Sequence, residues 1–177
     1  MALVQEMHVY GVTLDMVGKQ PMVLLRTAVG DRYLPIWIGP AEASAILMKL
    51  EGTETPRPMT HDLFASVLAQ LGAEVVRIEV TDLRENTFYA RITLRRDGAS
   101  YEIDSRPSDA IALAVRTRAP IFASDAVIDA SAVTMDDEQA ASGQIVQPEA
   151  DPDRLVEDFR AFLEGVDPEQ FKEQGEG

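Results

Sequence analysis

The chain has 177 residues, 46% of them hydrophobic, enough for one domain with a sizeable core and an appendage. It has no cysteine, which excludes a disulfide framework, a thiolate metal site and a thiol nucleophile. The net charge of −14 is uneven: residues 131–177 hold 13 acidic and 3 basic side chains, leaving residues 1–130 at −4, so charge argues only weakly against a polyanionic partner.

The first residues carry neither a basic stretch nor an apolar run of signal-peptide type, and no uncharged apolar run reaches the roughly 18 residues of a membrane span. The expectation is a soluble cytoplasmic protein. Residues 6–15 alternate as a strand and residues 21–28 form a second. Gly30-Asp31 signals a hairpin into Tyr33-Leu34-Pro35-Ile36-Trp37-Ile38, where Leu34, Ile36 and Ile38 share a face and Pro35 points to an edge or bulge. Tyr33 and Trp37 fall on the opposite face, where an aromatic pair could stack a base but better suits an oligomer interface.

Pro40 suits the first position of a helix with Glu42 at its third and Ile46, Leu47 and Leu50 as its apolar stripe, stopped by Gly52. After a stiff Thr53–Pro58 loop, Thr60 is the expected cap of a second helix, with His61 and Asp62 in its first turn. Leu63, Phe64, Val67, Leu68 and Leu71 make a clean helical stripe, and Gly72 ends it.

Three strands follow. Val76, Ile78 and Val80 alternate against Arg77 and Glu79; Phe88, Ala90, Ile92 and Leu94 alternate against Tyr89, Arg91, Thr93 and Arg95. Asp97-Gly98 is a tight hairpin turn, and the third strand runs to Ile103. The next helix places Arg106 at its cap, Pro107 at N1 and Asp109 at N3; Ala110 to Val115 are apolar nearly all round, as in a helix buried against a sheet. A short strand covers Pro120–Phe122.

The predicted fold is α+β: a mainly antiparallel sheet with helices packed on one face, plus a C-terminal amphipathic helix. Residues 1–130 form the domain, 131–150 an acidic linker, and 151–177 a helical tail aligning Leu155, Phe159, Phe162 and Leu163. Two strand-hairpin-strand-helix units echo one another loosely.

Three helices carry an acid in their first turn: Glu42, Asp62 and Asp109. On one reading each satisfies orphan N–H groups and the helix dipole. On the other, the helix starts converge beside Asp104 and offer oxygen ligands to a divalent metal of the kind used in phosphodiester hydrolysis. His61, beside Asp62, is the candidate general base, and His8 reads as structural. Arg106, at a helix N-terminus, is placed to hold a phosphate. Arg77, Arg91 and Arg95 read as solvated sheet surface, or else as phosphate contacts.

Four blocks, in order, carry a family resemblance: Arg32-Tyr-Leu-Pro-Ile-Trp-Ile-Gly-Pro40 with Glu42-Ala43, Arg57-Pro-Met-Thr-His-Asp-Leu63, Asn86-Thr-Phe-Tyr-Ala90, and Asp104-Ser-Arg-Pro-Ser-Asp-Ala-Ile-Ala-Leu-Ala114. Together they resemble the bifunctional nuclease (BFN) domain family over roughly residues 4–130, and the acidic tail is similar to that of short bacterial members. The resemblance implies an α+β domain, a homo-oligomer and a hydrolase cleaving RNA and DNA. Plant-like members often add a C-terminal UVR-type motif that residues 151–177 do not match. The candidate site residues are those that lie within the matching blocks and also carry the chemistry read above: His61, Asp104, Arg106 and Asp109 as catalytic residues, and Glu42, Asp62, Asp104 and Asp109 as ligands of a divalent Mg²⁺ or Mn²⁺. No organic cofactor and no membrane partner is expected.

Overall fold

The computed structural model describes residues 3–14, 20–134 and 145–146. The chain forms β1 (Val4–Leu14), β2 (Pro21–Thr27), β3 (Arg32–Trp37), α1 (Pro40–Leu50), α2 (Thr60–Gln70), β4 (Glu74–Arg84), β5 (Thr87–Arg96), β6 (Ala99–Ser105), α3 (Pro107–Thr117), β7 (Ile121–Ser124), α4 (Asp125–Ser131), β8 (Val133–Thr134) and β9 (Ile145–Val146). Its class is α+β. Among the described residues one sheet runs β6-β5-β4-β7-β1-β2-β3-β8, with β9 paired to β1; only β4 and β7 are parallel.

Two meanders, β1-β2-β3 and β4-β5-β6, are joined through β7, which lies between β4 and β1. Each meander is followed by a helix opening on proline, α1 at Pro40 and α3 at Pro107. The second meander turns tightly at Glu85-Asn86 and Asp97-Gly98, all four with positive φ, as a right-twisted two-residue hairpin requires. In β3, Pro35 lies beyond the two residues that β8 pairs, so its missing N–H breaks no described ladder bond.

The core gathers Met7, Val23, Leu25, Leu34, Ile36, Ile78, Val80, Ala90, Ile92, Ile121 and Ala123 from the sheet. Against them pack Ile46 of α1, Leu68 of α2, Ala110 to Ala114 of α3 and Ile128 of α4. The α3 segment is buried all round, because α3 touches α1, α2, β4 and β5 together. Its alanines allow that close approach on every side.

The structure departs from the sequence reading at four places. A bulge between Val75 and Arg77 gives Val75, not Val76, the core position on β4. Tyr33 is buried edge-on against Tyr10, while Trp37 alone of the pair stays exposed. Only Leu68 of the α2 stripe is buried; Leu63, Phe64, Val67 and Leu71 are between 40% and 57% exposed. The periodicity was that of an amphipathic helix, but its apolar face is left uncovered by the described chain. Lastly, α4 follows β7 near the end of the expected domain, where the sequence reading has no helix, and β8 lies at the start of the expected linker. Ser124 caps α4 by accepting a hydrogen bond from the Val127 amide at 3.3 Å. The tail helix falls outside the described residues. No described helix is long and apolar enough to cross a membrane.

These burial differences order the cost of truncation. Ile111→Ala, in the sealed centre of α3, should lose about 2–5 kcal/mol in urea unfolding, while Leu63→Ala should lose well under half as much. Equal losses would mean that α2 is covered by something beyond the described chain.

Candidate functional site

The starts of α1, α2 and α3 meet around an open cleft of about 620 Å³. Glu42, His61, Asp62, Arg106 and Asp109 all line it, together with Lys49, Glu54 and Arg116. Each start has its own local cause. Pro40 and Pro107 occupy N1 of α1 and α3, where a missing N–H costs nothing, and their N-caps are Gly39 and Arg106. In α2 the cap is Met59; Thr60 is the first helical residue, not the cap expected from its hydroxyl. Asp62 at N3 closes the turn by accepting the Met59 amide at 3.0 Å.

A chain of polar contacts crosses the cleft. His61 Nε2 lies 2.9 Å from Asp109 Oδ1, and Arg106 Nε donates to Asp109 Oδ2 at 2.8 Å. The same guanidinium reaches Glu42 Oε1 through Nη2 at 2.9 Å. Thus Asp109 answers two side chains, not the orphan amides of its own helix. Glu42 folds back over its own N-cap: a Cβ at position 39 would collide with the Glu42 carboxylate, and glycine leaves that space open. His61 is 13% exposed, and Arg106, at 66%, keeps donors turned to solvent.

Beneath this chain, Arg116 is 6% exposed. Its Nε donates to Asp62 Oδ1 at 2.5 Å, Nη1 to the Ala112 carbonyl and Nη2 to the Ala45 carbonyl, both at 2.9 Å. One cation therefore ties α2, α3 and α1. Sequence reasoning missed it, since an arginine in the last turn of a helix reads as an ordinary partner for the dipole.

Two carboxyls that line the cleft are shifted. Burial pushes Asp109 up, but the hydrogen bonds from Arg106 and His61 outweigh it and hold the carboxyl below its ordinary value. Burial also pushes Asp62 up, and Arg116, the Met59 amide and Lys49 bring it below the ordinary value. Both are therefore ionised at neutral pH. An ionised Asp109 can only accept, so His61 Nε2 carries the proton between them, and in the neutral ring the lone pair is on Nδ1.

Asp104 stands apart. Its register partner on β5 is Arg91, and strand alternation puts it on the opposite sheet face from Ala90 and Ile92, outside the cleft lining. His8 is exposed on β1, and Arg77, Arg91 and Arg95 are ion-paired to Glu79, Glu102 and Glu74. The four carboxylates considered as metal ligands do not compose one coordination shell. The Arg106 guanidinium lies between Glu42 and Asp109, Asp62 is held by Arg116, and Asp104 lies elsewhere. Among the described residues no group of three or more His, Cys, Asp and Glu is placed to hold an ion.

The fold and cleft define an α+β protein with a histidine–carboxylate–guanidinium chain where three helices begin. It belongs to the bifunctional nuclease domain family, whose model matches residues 23–136. An uncharacterized protein of Mycobacterium tuberculosis is 40% identical over 167 residues, 94% of this chain and 98% of its own length. Bifunctional nuclease 1 of Oryza sativa subsp. japonica is 27% identical over 110 residues, 60% of this chain and 33% of that protein. Bifunctional nuclease 1 of Arabidopsis thaliana is 28% identical over 105 residues, 57% of this chain and 32% of that protein. The chain thus spans about a third of the plant nucleases it matches.

The lowered carboxyls fix the acid behaviour. A group whose folded value lies below its unfolded one contributes fully above the unfolded value, near 4, and the contribution disappears as pH falls through the folded value. Asp62→Asn should therefore be less stable than wild type at neutral pH, with the gap closing below about pH 4. Urea unfolding of both proteins across that window checks it; a gap independent of pH would contradict the assignment.

Proposed function

We propose that the cleft is a phosphodiester-hydrolysing site that acts on RNA or DNA. The observation that carries this reading is the chain from His61 through Asp109 and Arg106 to Glu42, held in one open cleft. The family, and the plant relatives named as nucleases, support the substrate class. In the step proposed, a water, or in RNA the 2′-hydroxyl, attacks phosphorus and its proton passes to His61 Nδ1; the P–O bond to the leaving oxygen breaks with its electron pair staying on that oxygen, which takes up a proton from the imidazolium or from water. Asp109 fixes the ring and stabilises the imidazolium that forms. Arg106, which spends Nε and one Nη2 contact on carboxylates, offers its remaining N–H groups to the phosphoryl oxygens. The step uses only these side chains, since the carboxylates as placed do not fit a shared Mg²⁺ or Mn²⁺ ion.

A non-catalytic binding module is the second reading, favoured by the near balance of charge in the cleft, where Glu42, Glu54, Asp62 and Asp109 face Lys49, Arg106 and Arg116. Assays on single- and double-stranded RNA and DNA with Mg²⁺, Mn²⁺ or EDTA separate the two. Cleavage by the wild type should fall by about 10²–10⁴-fold in His61→Ala, the usual worth of a positioned proton-transfer group. Cleavage equal in both, or none under any condition, would overturn the hydrolase reading.

We propose also that the chain self-associates through the uncovered stripe of α2. Residues 63–73 contain no charged side chain, so a second copy meets no repulsion there despite the acidic chain, and clustered exposed apolar residues mark interfaces. Phe64→Glu should shift the sedimentation mass of the full chain towards the monomer; a wild type that is already monomeric, or an unmoved mass, would reject the idea.

A further inference from the structure

The cleft extends along α1 beyond the reacting groups. Ala41, Glu42, Ser44, Ala45, Met48 and Lys49 all line it, so one face of the helix forms a wall two turns long. Glu42 and Lys49 are seven residues apart. That spacing returns to the same face and separates them by about 10 Å along the axis. Arg106, bound to Glu42, stands at one end of this wall, and Lys49 stands at the other.

The lining cations differ in what they are free to do. Arg116 is buried and committed to Asp62 and two carbonyls. Arg106 is shared between Glu42 and Asp109. Lys49 is exposed, and its ammonium makes neither an ion pair nor a hydrogen bond among the described residues; Asp62 feels its charge only at longer range. Thr53, Glu54 and Thr55, just past the end of α1, also line the cleft.

We propose that Lys49 is the contact for a second phosphate of the substrate strand, further along from the phosphate held by Arg106. This deepens the hydrolase reading and rests on it. The ligand it implies is an oligonucleotide with at least two phosphates, lying along α1 from Arg106 towards the 53–55 loop. Apart from His61, no aromatic residue among the described ones lines the cleft for a base to stack on, so its grip is on the backbone and tolerant of sequence. Glu54 works against that grip, and its removal should tighten it.

The test is binding, read apart from catalysis. A labelled single strand of about ten nucleotides is titrated by anisotropy at several salt concentrations between about 50 and 200 mM, its integrity checked afterwards. Lys49→Ala should weaken binding several-fold at the lowest salt and reduce the slope of log K against log salt by about 0.7, the loss of one phosphate contact on a single strand. Lys49→Arg should restore both, and Glu54→Gln should strengthen binding. An Arg106→Ala arm reports on the proposed reacting site. If Arg106→Ala weakens binding while Lys49→Ala leaves affinity and slope unmoved, the second contact is wrong and the hydrolase reading stands. If the wild type binds no strand at any salt, both fall.

Discussion

A cation buried among three helices sets the geometry of the cleft. A guanidinium taken out of water is tolerated only when its donors are answered, and Arg116 has Asp62 and two backbone carbonyls to answer it. Because those partners belong to α2, α3 and α1, the satisfied charge also fixes how the three helices stand to one another. Asp62 has a second task, closing the first turn of α2 through the Met59 amide. His61, one of the two residues that this turn encloses, therefore has its backbone held between Met59 and Asp62. The contact from Asp109 then selects which ring nitrogen carries the proton. A structural ion pair below and a reactive pair above are thus coupled through one turn of helix.

Much of this was legible in the sequence, and the reasons are local. The opening of α3 could be read residue by residue, since proline at N1 and an apolar run on every side leave little freedom. The convergence of Glu42, His61, Asp62, Arg106 and Asp109 was also visible as acids and bases at helix starts. What their contacts would be was not. A carboxylate at N3 satisfies local amides by default, and only the packing of α1 against α3 brings Arg106 between Glu42 and Asp109. Asp104 was grouped with them by nearness in sequence, although the parity of its strand already placed it opposite Ile103 and so on the other face.

The uncovered stripe of α2 was the least legible feature, for a physical reason. Amphipathic spacing reports that a face is apolar; it carries no information on whether the chain's own sheet, another segment or another molecule lies against it. The bulge in β4 is similar on a smaller scale, since an extra residue changes which valine faces inward without leaving a mark on the alternation.

The two halves of the sheet explain why a site arises where it does. Each meander delivers its chain to a helix that begins with proline and carries an acid at N3, Glu42 in the first half and Asp109 in the second. When β7 joins the halves into one sheet, α1 and α3 come side by side and the two acids approach each other. Such a pair of like charges in a partly buried place must be neutralised. The cap residue of the second helix supplies the neutralising group, Arg106, where the first helix has Gly39. The asymmetry between the caps is therefore what turns a repeated structural motif into a polar chain. The glycine gives Glu42 room to fold back, and the arginine gives it something to hold. His61, contributed by the helix that joins the two halves, has no counterpart in either unit. A chain of charge that began as the neutralisation of two helix starts acquires, through that insertion, a group able to move a proton.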